Sequence, residues 1–172
     1  MFRNRYLSGV CFFTILIFNI PAFALAGQYK VVRVYDGDIL KAVENGIEIM
    51  VRLVGIDAPE ISKKKHLPGQ PFSQKAKEYL SKLVLKKNVQ IKLYGVDHYT
   101  RVLAEVFVSG KNVNIEMLKA GLAEVYRGKP ATGLDLNLYK TTESKAKKDE
   151  IGIWSLRGQY FSPKSWRELY RD

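Results

Sequence analysis

A chain of 172 residues with 28 lysines and arginines against 17 aspartates and glutamates carries a formal charge of +11. That excess points to a polyanionic partner, because such side chains displace counterions from a phosphate backbone. The length is that of one ordinary domain. Cys11 is the lone cysteine, which excludes an internal disulfide framework, and His66 and His98 have no cysteine or histidine at ligand spacing, so zinc is not expected.

Residues 1–26 read as a secretory leader. Arg3 and Arg5 make a basic start, Val10 to Ile20 is almost wholly apolar, and "PAFALAG" ends in the small residues a signal peptidase accepts. The apolar run is shorter than the roughly 20 residues a membrane span needs. Cleavage after Ala24 or Ala26 is therefore expected, giving a secreted or periplasmic monomer, residues 27–172, with no stable membrane association. Losing Arg3 and Arg5 leaves 26 basic residues against 17 acidic, a balance of +9.

The mature chain opens with three strand-like runs. Tyr29 to Tyr35 is rich in valine, Asp36-Gly37 is a turn, Ile39 to Val43 resumes, and Asn45-Gly46 carries the type I′ hairpin signal before a run from Ile47 to Ile56. A basic, proline-containing loop over residues 62–71 includes Lys63, Lys64 and Lys65. Such a charge run serves equally as a solvated loop or as a contact to a nucleic-acid backbone.

Beyond that loop, "PFSQKAKEYLSKLVL" sets Phe72, Ala76, Tyr79, Leu80 and Leu83 at helical spacing, with Ser73 as the expected cap. "NVQIKLYGVD" and "RVLAEVFVSGK" read as strands four and five. Asn114 is expected to open a helix running to Gly121, and Leu138 to Glu150 forms a longer charged helix stopped by Gly152. Residues 127–136, "RGKPATGLDL", read as a surface loop. In the tail, Ser162-Pro163 starts a short helix, with Trp154 and Trp166 as packing residues.

Three strands, a helix, two strands and further helices is the order of an α+β fold, mainly β. The expected architecture is a five-stranded Greek-key barrel of the oligonucleotide-binding (OB) kind with about three helices. The loops that rim the binding face of such a barrel are here "DGD", Asp36 to Asp38, and "DHYTR", Asp97 to Arg101.

The stretch "VRLVGIDAPE", Val51 to Glu60, carries the most informative contrast. On a regular strand Arg52, Val54 and Ile56 share one face and Leu53 the other, which sets a guanidinium on the apolar side. Burial of that charge is costly unless acids or a ligand pair with it. Asp57 and Glu60 are placed either to supply the pairing or to bind a cation, and a salt-bridge network alone would also group such residues. Asp36, Gly37 and Asp38 by themselves are an ordinary hairpin turn, and Tyr126 by itself is as easily core as site.

Taken together, "DGD", "VRLVGIDAPE", "PFSQKAKEYL", "YTRVLAEV" and "GLAEVY" occur in an order and spacing that resembles the staphylococcal-nuclease-like (thermonuclease) family. The resemblance covers about Tyr29 to Trp154. It implies that Asp38 and Asp57, with the backbone carbonyl of Ala58, ligate Ca²⁺, that Glu60 is the general base, and that Arg52 and Arg101 hold the attacked phosphate. Tyr99, Tyr126, Lys63 and Lys64 are the expected substrate contacts.

The activity so implied is calcium-dependent endonucleolytic hydrolysis of DNA and RNA with little sequence preference, leaving 3′-phosphate ends. The alternative is a noncatalytic OB-fold nucleic-acid-binding module. The acid and arginine set that separates the two readings is complete here. The chain departs from the family at Ile39, where threonine is usual, and at Thr100, where glycine is usual. The second departure alters the turn that presents Arg101.

Overall fold

A computed structural model describes residues 28–62, 66 and 68–170. The expected leader, residues 1–26, and the lysines Lys63, Lys64 and Lys65 lie outside the described residues. Strands β1 (Gln28–Val34), β2 (Ile39–Glu44) and β3 (Ile47–Leu53) form an antiparallel meander. Asn45 at φ 49° and Gly46 at φ 80° turn between Glu44 and Ile47, as a type I′ hairpin requires.

The third run does not stay one strand as expected. It breaks at Val54-Gly55, and the two-residue β4 (Ile56–Asp57) leaves the barrel to pair with another short strand further on. Alternation therefore stops at Leu53. Val51 and Leu53 are fully buried, while Arg52 lies on the opposite face, so the guanidinium is not on the barrel-core side as periodicity indicated. The reason is the turn: Val54 and Ile56 are buried after the chain has changed direction, and they no longer report which face Arg52 occupies.

Helix α1 (Ser73–Val84) follows, then β5 (Asn88–Val96) and β6 (Val102–Val108), which form an antiparallel pair. β5 also pairs with β1, and β6 runs parallel to β3 with Arg52 opposite Leu103. The resulting order β3-β2-β1-β5-β6, with β3 meeting β6, closes a five-stranded barrel of the OB kind; β7 (Lys111–Asn112) extends β6 beyond the ring. Closure leaves the ring no free edge. Val31, Leu40, Val51, Leu53, Ile91 and Val106 fill its interior, each contributing about 1.5–3 kcal/mol on burial.

Among the described residues five helical segments stand where about three were expected. They are α1, α2 (Val113–Lys119), α3 (Asn137–Lys148), the 3₁₀ segment η1 (Gly152–Gln159) and α4 (Pro163–Leu169). The two tail segments are too short to show helical periodicity. Strand β8 (Glu124–Val125), after α2, is the partner of β4. α4 begins as read, with Ser162 Oγ accepting from Ser165 N–H at 3.0 Å and proline in the first turn.

Two caps differ from expectation. Phe72, at φ 71°, precedes α1 without a side-chain cap, because Ser73 is already helical and buried beside Ala76, Leu80 and Val84. Asn112 rather than Asn114 caps α2, its Oδ1 accepting from Ile115 N–H at 3.3 Å. Asn114 instead lies fully buried inside the helix. Its Nδ2 donates to Val54 O at 2.8 Å and Ala104 O at 3.2 Å, and its Oδ1 accepts from Val106 N–H at 3.1 Å. One side chain thereby ties α2 to β6 and to the turn after β3.

We predict that Asn114→Ala lowers stability by about 3 kcal/mol, since it leaves two buried backbone groups, Val54 O and Val106 N–H, without that partner and each such loss costs about 1–3 kcal/mol. The midpoint of urea unfolding, at unchanged m-value, measures it.

Candidate active site

The site is assembled from chain segments that meet at one end of the barrel. The β1–β2 loop approaches the segment after β4 so closely that a Cβ on Gly37 would stand 2.6 Å from Ala58 Cβ and 2.7 Å from Ala76 Cβ. Only glycine permits this contact. It brings Asp38 against the end of β4, where Asp38 Oδ2 accepts from Ala58 N–H at 3.1 Å, while Asp38 O accepts from Leu53 N–H at 2.8 Å. Gly55, at φ 78°, makes the bend that lets β4 pair with β8 and returns Asp57 toward Arg52.

Arg52 joins the two aspartates. Its Nη2 donates to Asp57 Oδ1 at 2.7 Å, and its Nη1 lies 3.3 Å from Asp38 Oδ1 and 3.2 Å from Asp38 Oδ2. Both carboxylates are almost fully buried, Asp38 at 3% and Asp57 at 1% exposure, and burying such polar groups is costly unless they are hydrogen-bonded, as these are. Asp36 sits beside Asp38, its Oδ1 accepting from Asp38 N–H at 3.1 Å. Burial, together with the charge of Asp38 and then Glu60, pushes its carboxyl up to about 8.

Glu60 completes the group. Its N–H donates to Gln70 Oε1 at 3.0 Å, Gln70 N–H returns a bond to Glu60 O at 2.9 Å, and Gln70 Nε2 donates to Phe161 O at 2.8 Å. Burial raises the Glu60 carboxyl above the usual range, and nearby Asp38 and Asp57 add to this, while a bond from Arg167 opposes it.

Arg167 on α4 is the functional-site residue that sequence reasoning missed. Its Nη1 donates to Asp57 Oδ1 at 3.0 Å and to Glu60 Oε1, and its Nη2 donates to Asp57 Oδ2 at 2.7 Å. The tail was expected to contribute packing, which holds for the ring contacts of Trp154 with Tyr160 and Trp166 with Tyr170. An arginine over 100 residues from its partners in sequence leaves no signal in spacing or periodicity.

Arg101 is not gathered into this cluster. Its Nε donates to Asp97 Oδ2 at 2.8 Å, its N–H donates to Asp97 Oδ1 at 3.0 Å, and its guanidinium lies 5.0 Å from the Tyr99 ring centroid. The β5–β6 loop that carries it precedes β6, two residues before Leu103, the register partner of Arg52. Tyr99 and Tyr126 stand 66% and 40% exposed, which leaves their rings available for stacking. Tyr126 is held by its N–H bond to Gly55 O at 2.9 Å.

The family model described as staphylococcal nuclease homologue matches residues 50–156. The chain belongs to the staphylococcal nuclease family. It is 36% identical over 161 residues to a probable endonuclease LCL3 of Verticillium alfalfae, covering 88% of this chain and 54% of that protein. It is 37% identical over 139 residues to an uncharacterized endonuclease of Haemophilus influenzae, covering 80% of this chain and 71% of the relative. A probable endonuclease LCL3 of Scheffersomyces stipitis is 39% identical over 130 residues, 72% of this chain and 55% of that protein. The chain thus spans about half the length of these fungal relatives.

For a staphylococcal nuclease homologue, the donor set at this site is all oxygen: two carboxylates and the main chain at Ala58. No group of three or more histidine, cysteine, aspartate or glutamate side chains is arranged around a metal position among the described residues. A sparse two-carboxylate site completed by a carbonyl and water suits a hard, weakly held cation such as calcium. The crowding of Asp36, Asp38 and Glu60 is the electrostatic setting such a cation relieves. Both oxygens of Asp57 are, however, already engaged by arginines. The oxygen donors suit such an ion in kind, and those of Asp57 are shared with Arg52 and Arg167.

The two departures from the family pattern sit in ordered positions. Ile39 is the cross-strand neighbour of Arg52 and leaves Asp38 in place. Thr100 stands at φ 61°, the left-handed conformation that glycine adopts freely and a β-branched residue resists. Its Oγ1 donates to Tyr99 O at 2.6 Å. The loop thus keeps a glycine-type backbone without the glycine. Such a conformation costs an L-residue about 1–2 kcal/mol, partly offset by the extra unfolded-state freedom of glycine. We predict that Thr100→Gly stabilises the protein by about 1 kcal/mol, read as a raised denaturation midpoint.

Proposed function

We propose that this chain is an exported, calcium-dependent endonuclease that hydrolyses phosphodiester bonds of DNA and RNA with little sequence preference and leaves 3′-phosphate ends. One observation carries the reading: Arg52 is held between Asp38 and Asp57, with Glu60 bonded into the same charged group. The relatives named endonucleases support hydrolysis, and the leader-like residues 1–26 support export to the periplasm or the medium. A balance of +9 after leader removal suits a substrate bound through its backbone.

Calcium, held by Asp38, Asp57 and the carbonyl of Ala58, would supply stabilisation of charge on the phosphate. The rest is done by side chains. Arg52 stays protonated, and the guanidinium N–H groups not given to Asp38 and Asp57 donate to phosphate oxygen as negative charge builds on it. Glu60, with its basicity raised by burial, accepts the proton of a water whose oxygen bonds to phosphorus. The bond from phosphorus to the 5′ oxygen breaks, and that oxygen takes a proton from solvent. The 3′ fragment of this cut begins with a hydroxyl, and the other ends in phosphate. Tyr99 and Tyr126 offer rings to adjacent bases. Arg101, once it exchanges Asp97 for phosphate, adds a second guanidinium.

The deciding assay incubates the purified protein with labelled single-stranded DNA and RNA, in calcium and then in chelator, and sizes the products and their ends. Cleavage only in calcium is expected; binding without cleavage in either condition would leave the noncatalytic module. Two variants test the assigned roles. Glu60→Gln should lower turnover by at least roughly 10², the usual loss of a general base, with the circular-dichroism spectrum unchanged. Arg52→Lys keeps the charge but loses the fork, so single-turnover cleavage should fall far more than equilibrium binding of the same strand. Parent-like cleavage by a folded Arg52→Lys protein would reduce Arg52 to a docking charge.

A further inference from the structure

We infer that Arg167 is an exchangeable internal counter-ion: it and the divalent cation compete for Asp57, and cation loading detaches α4 and frees Glu60. This rests on the calcium-nuclease reading for the identity of the ion. The first ground is the occupancy of Asp57. Oδ1 accepts from Arg52 at 2.7 Å and Arg167 at 3.0 Å, and Oδ2 accepts from Arg167 at 2.7 Å. A cation ligated by that carboxylate at about 2.3–2.6 Å needs lone pairs that a guanidinium now holds, and it repels a positive charge kept on the same group.

The second ground is which arginine can leave. Arg52 lies on β3, in register with β2 on one side and β6 on the other, and its side chain is 15% exposed. Arg167 is 38% exposed and projects from a seven-residue helix. Pro163 is the only buried residue of that helix, and Leu169 is 64% exposed. Trp166 lines a cavity of about 30 Å³ together with Gln70, Pro71 and Tyr160, room for about one water, so its packing is incomplete. The ion pairs of Arg167 are therefore a large part of what seats α4.

The third ground is a natural hinge. The chain is pinned just before α4 by Tyr160 Oη donating to Glu124 Oε2 at 2.8 Å and by Gln70 Nε2 donating to Phe161 O at 2.8 Å. Beyond Phe161 no comparable bond to the barrel is made among the described residues except those of Arg167. Gln70 also bonds Glu60 N–H, so the hinge is fastened to the segment that carries the base. Release of Arg167 removes a charge partner from Asp57 and from Glu60 together. Cation loading and exposure of the base thus become one event.

The test measures calcium binding without nucleic acid. Isothermal calorimetry on the parent, Arg167→Gln and Arg167→Lys should show Arg167→Gln binding calcium roughly tenfold tighter, because the competent state no longer has to be released from a competing ion pair, with Arg167→Lys between the two. A residue that merely braced the site would give the reverse order. Hydrogen exchange on the parent needs no variant: amides of residues 164–170 should lose protection when calcium saturates, while those of β3 keep it. Equal or weaker calcium binding by folded Arg167→Gln, or unchanged protection of α4, overturns the inference. Cleavage of single-stranded DNA by the same preparations separates the two readings. If the parent cleaves only in calcium while those results fail, the counter-ion role alone falls; if the parent neither binds calcium nor cleaves, the proposed function falls and takes the inference with it.

Discussion

A guanidinium shared by two buried carboxylates is the interaction on which the rest of this structure is arranged. Arg52 comes from a barrel strand, Asp38 from the loop after β1, and Asp57 from the short strand that follows the bend at Gly55. Buried charges persist only when their partners are held in place, so each neighbouring feature reads as a device that brings those segments together. Gly37 lets the loop approach Ala58, the Ala58 N–H fixes Asp38 Oδ2, and the β4–β8 pair fixes Asp57. Removing one charge would strand the others, which gives the site its rigidity.

The electrostatic balance of the group explains why a rigid site is also receptive. Asp36, Asp38, Asp57 and Glu60 lie close to two arginines, and burial, then the charges of Asp38 and Glu60, hold the Asp36 carboxyl up to about 8. Carboxylates crowded in this way are poised for a hard cation. In the structure the guanidinium of Arg167 fills that need, and it comes from a seven-residue helix in which Pro163 is the one buried residue. A partner that is strongly charged yet weakly packed is the kind that can be exchanged.

The barrel supplies position rather than chemistry. Parallel pairing of β3 with β6 closes the ring and carries the Arg101 loop to the strand beside Arg52, though Arg101 itself is turned to Asp97 and Tyr99. Asn114 bolts α2 onto β6 and the turn after β3 through three hydrogen bonds. With the scaffold closed and bolted, the variable contacts are left to the loop that carries Arg101 and to the tail.

The five barrel strands, the Asn45-Gly46 hairpin, helices α1 to α3 and the candidacy of Arg52, Asp38, Asp57 and Glu60 were legible in the amino-acid sequence. Each rests on a local rule: alternation, turn chemistry, helical spacing, or a motif whose residues are near one another in the chain. What the sequence could not decide were matters of direction and distance. The face of Arg52 was misread because the bend at Gly55 ends the alternation that periodicity assumes. Ser73 and Asn114 looked like caps, since a cap and a buried side-chain bridge share the same residue types, and only the entry angle of the chain separates them. Arg167 was invisible for a simpler reason. An ion pair between residues more than 100 positions apart has no period and no spacing, and it exists only where the closed barrel and the returning tail bring opposite charges to the same few ångströms.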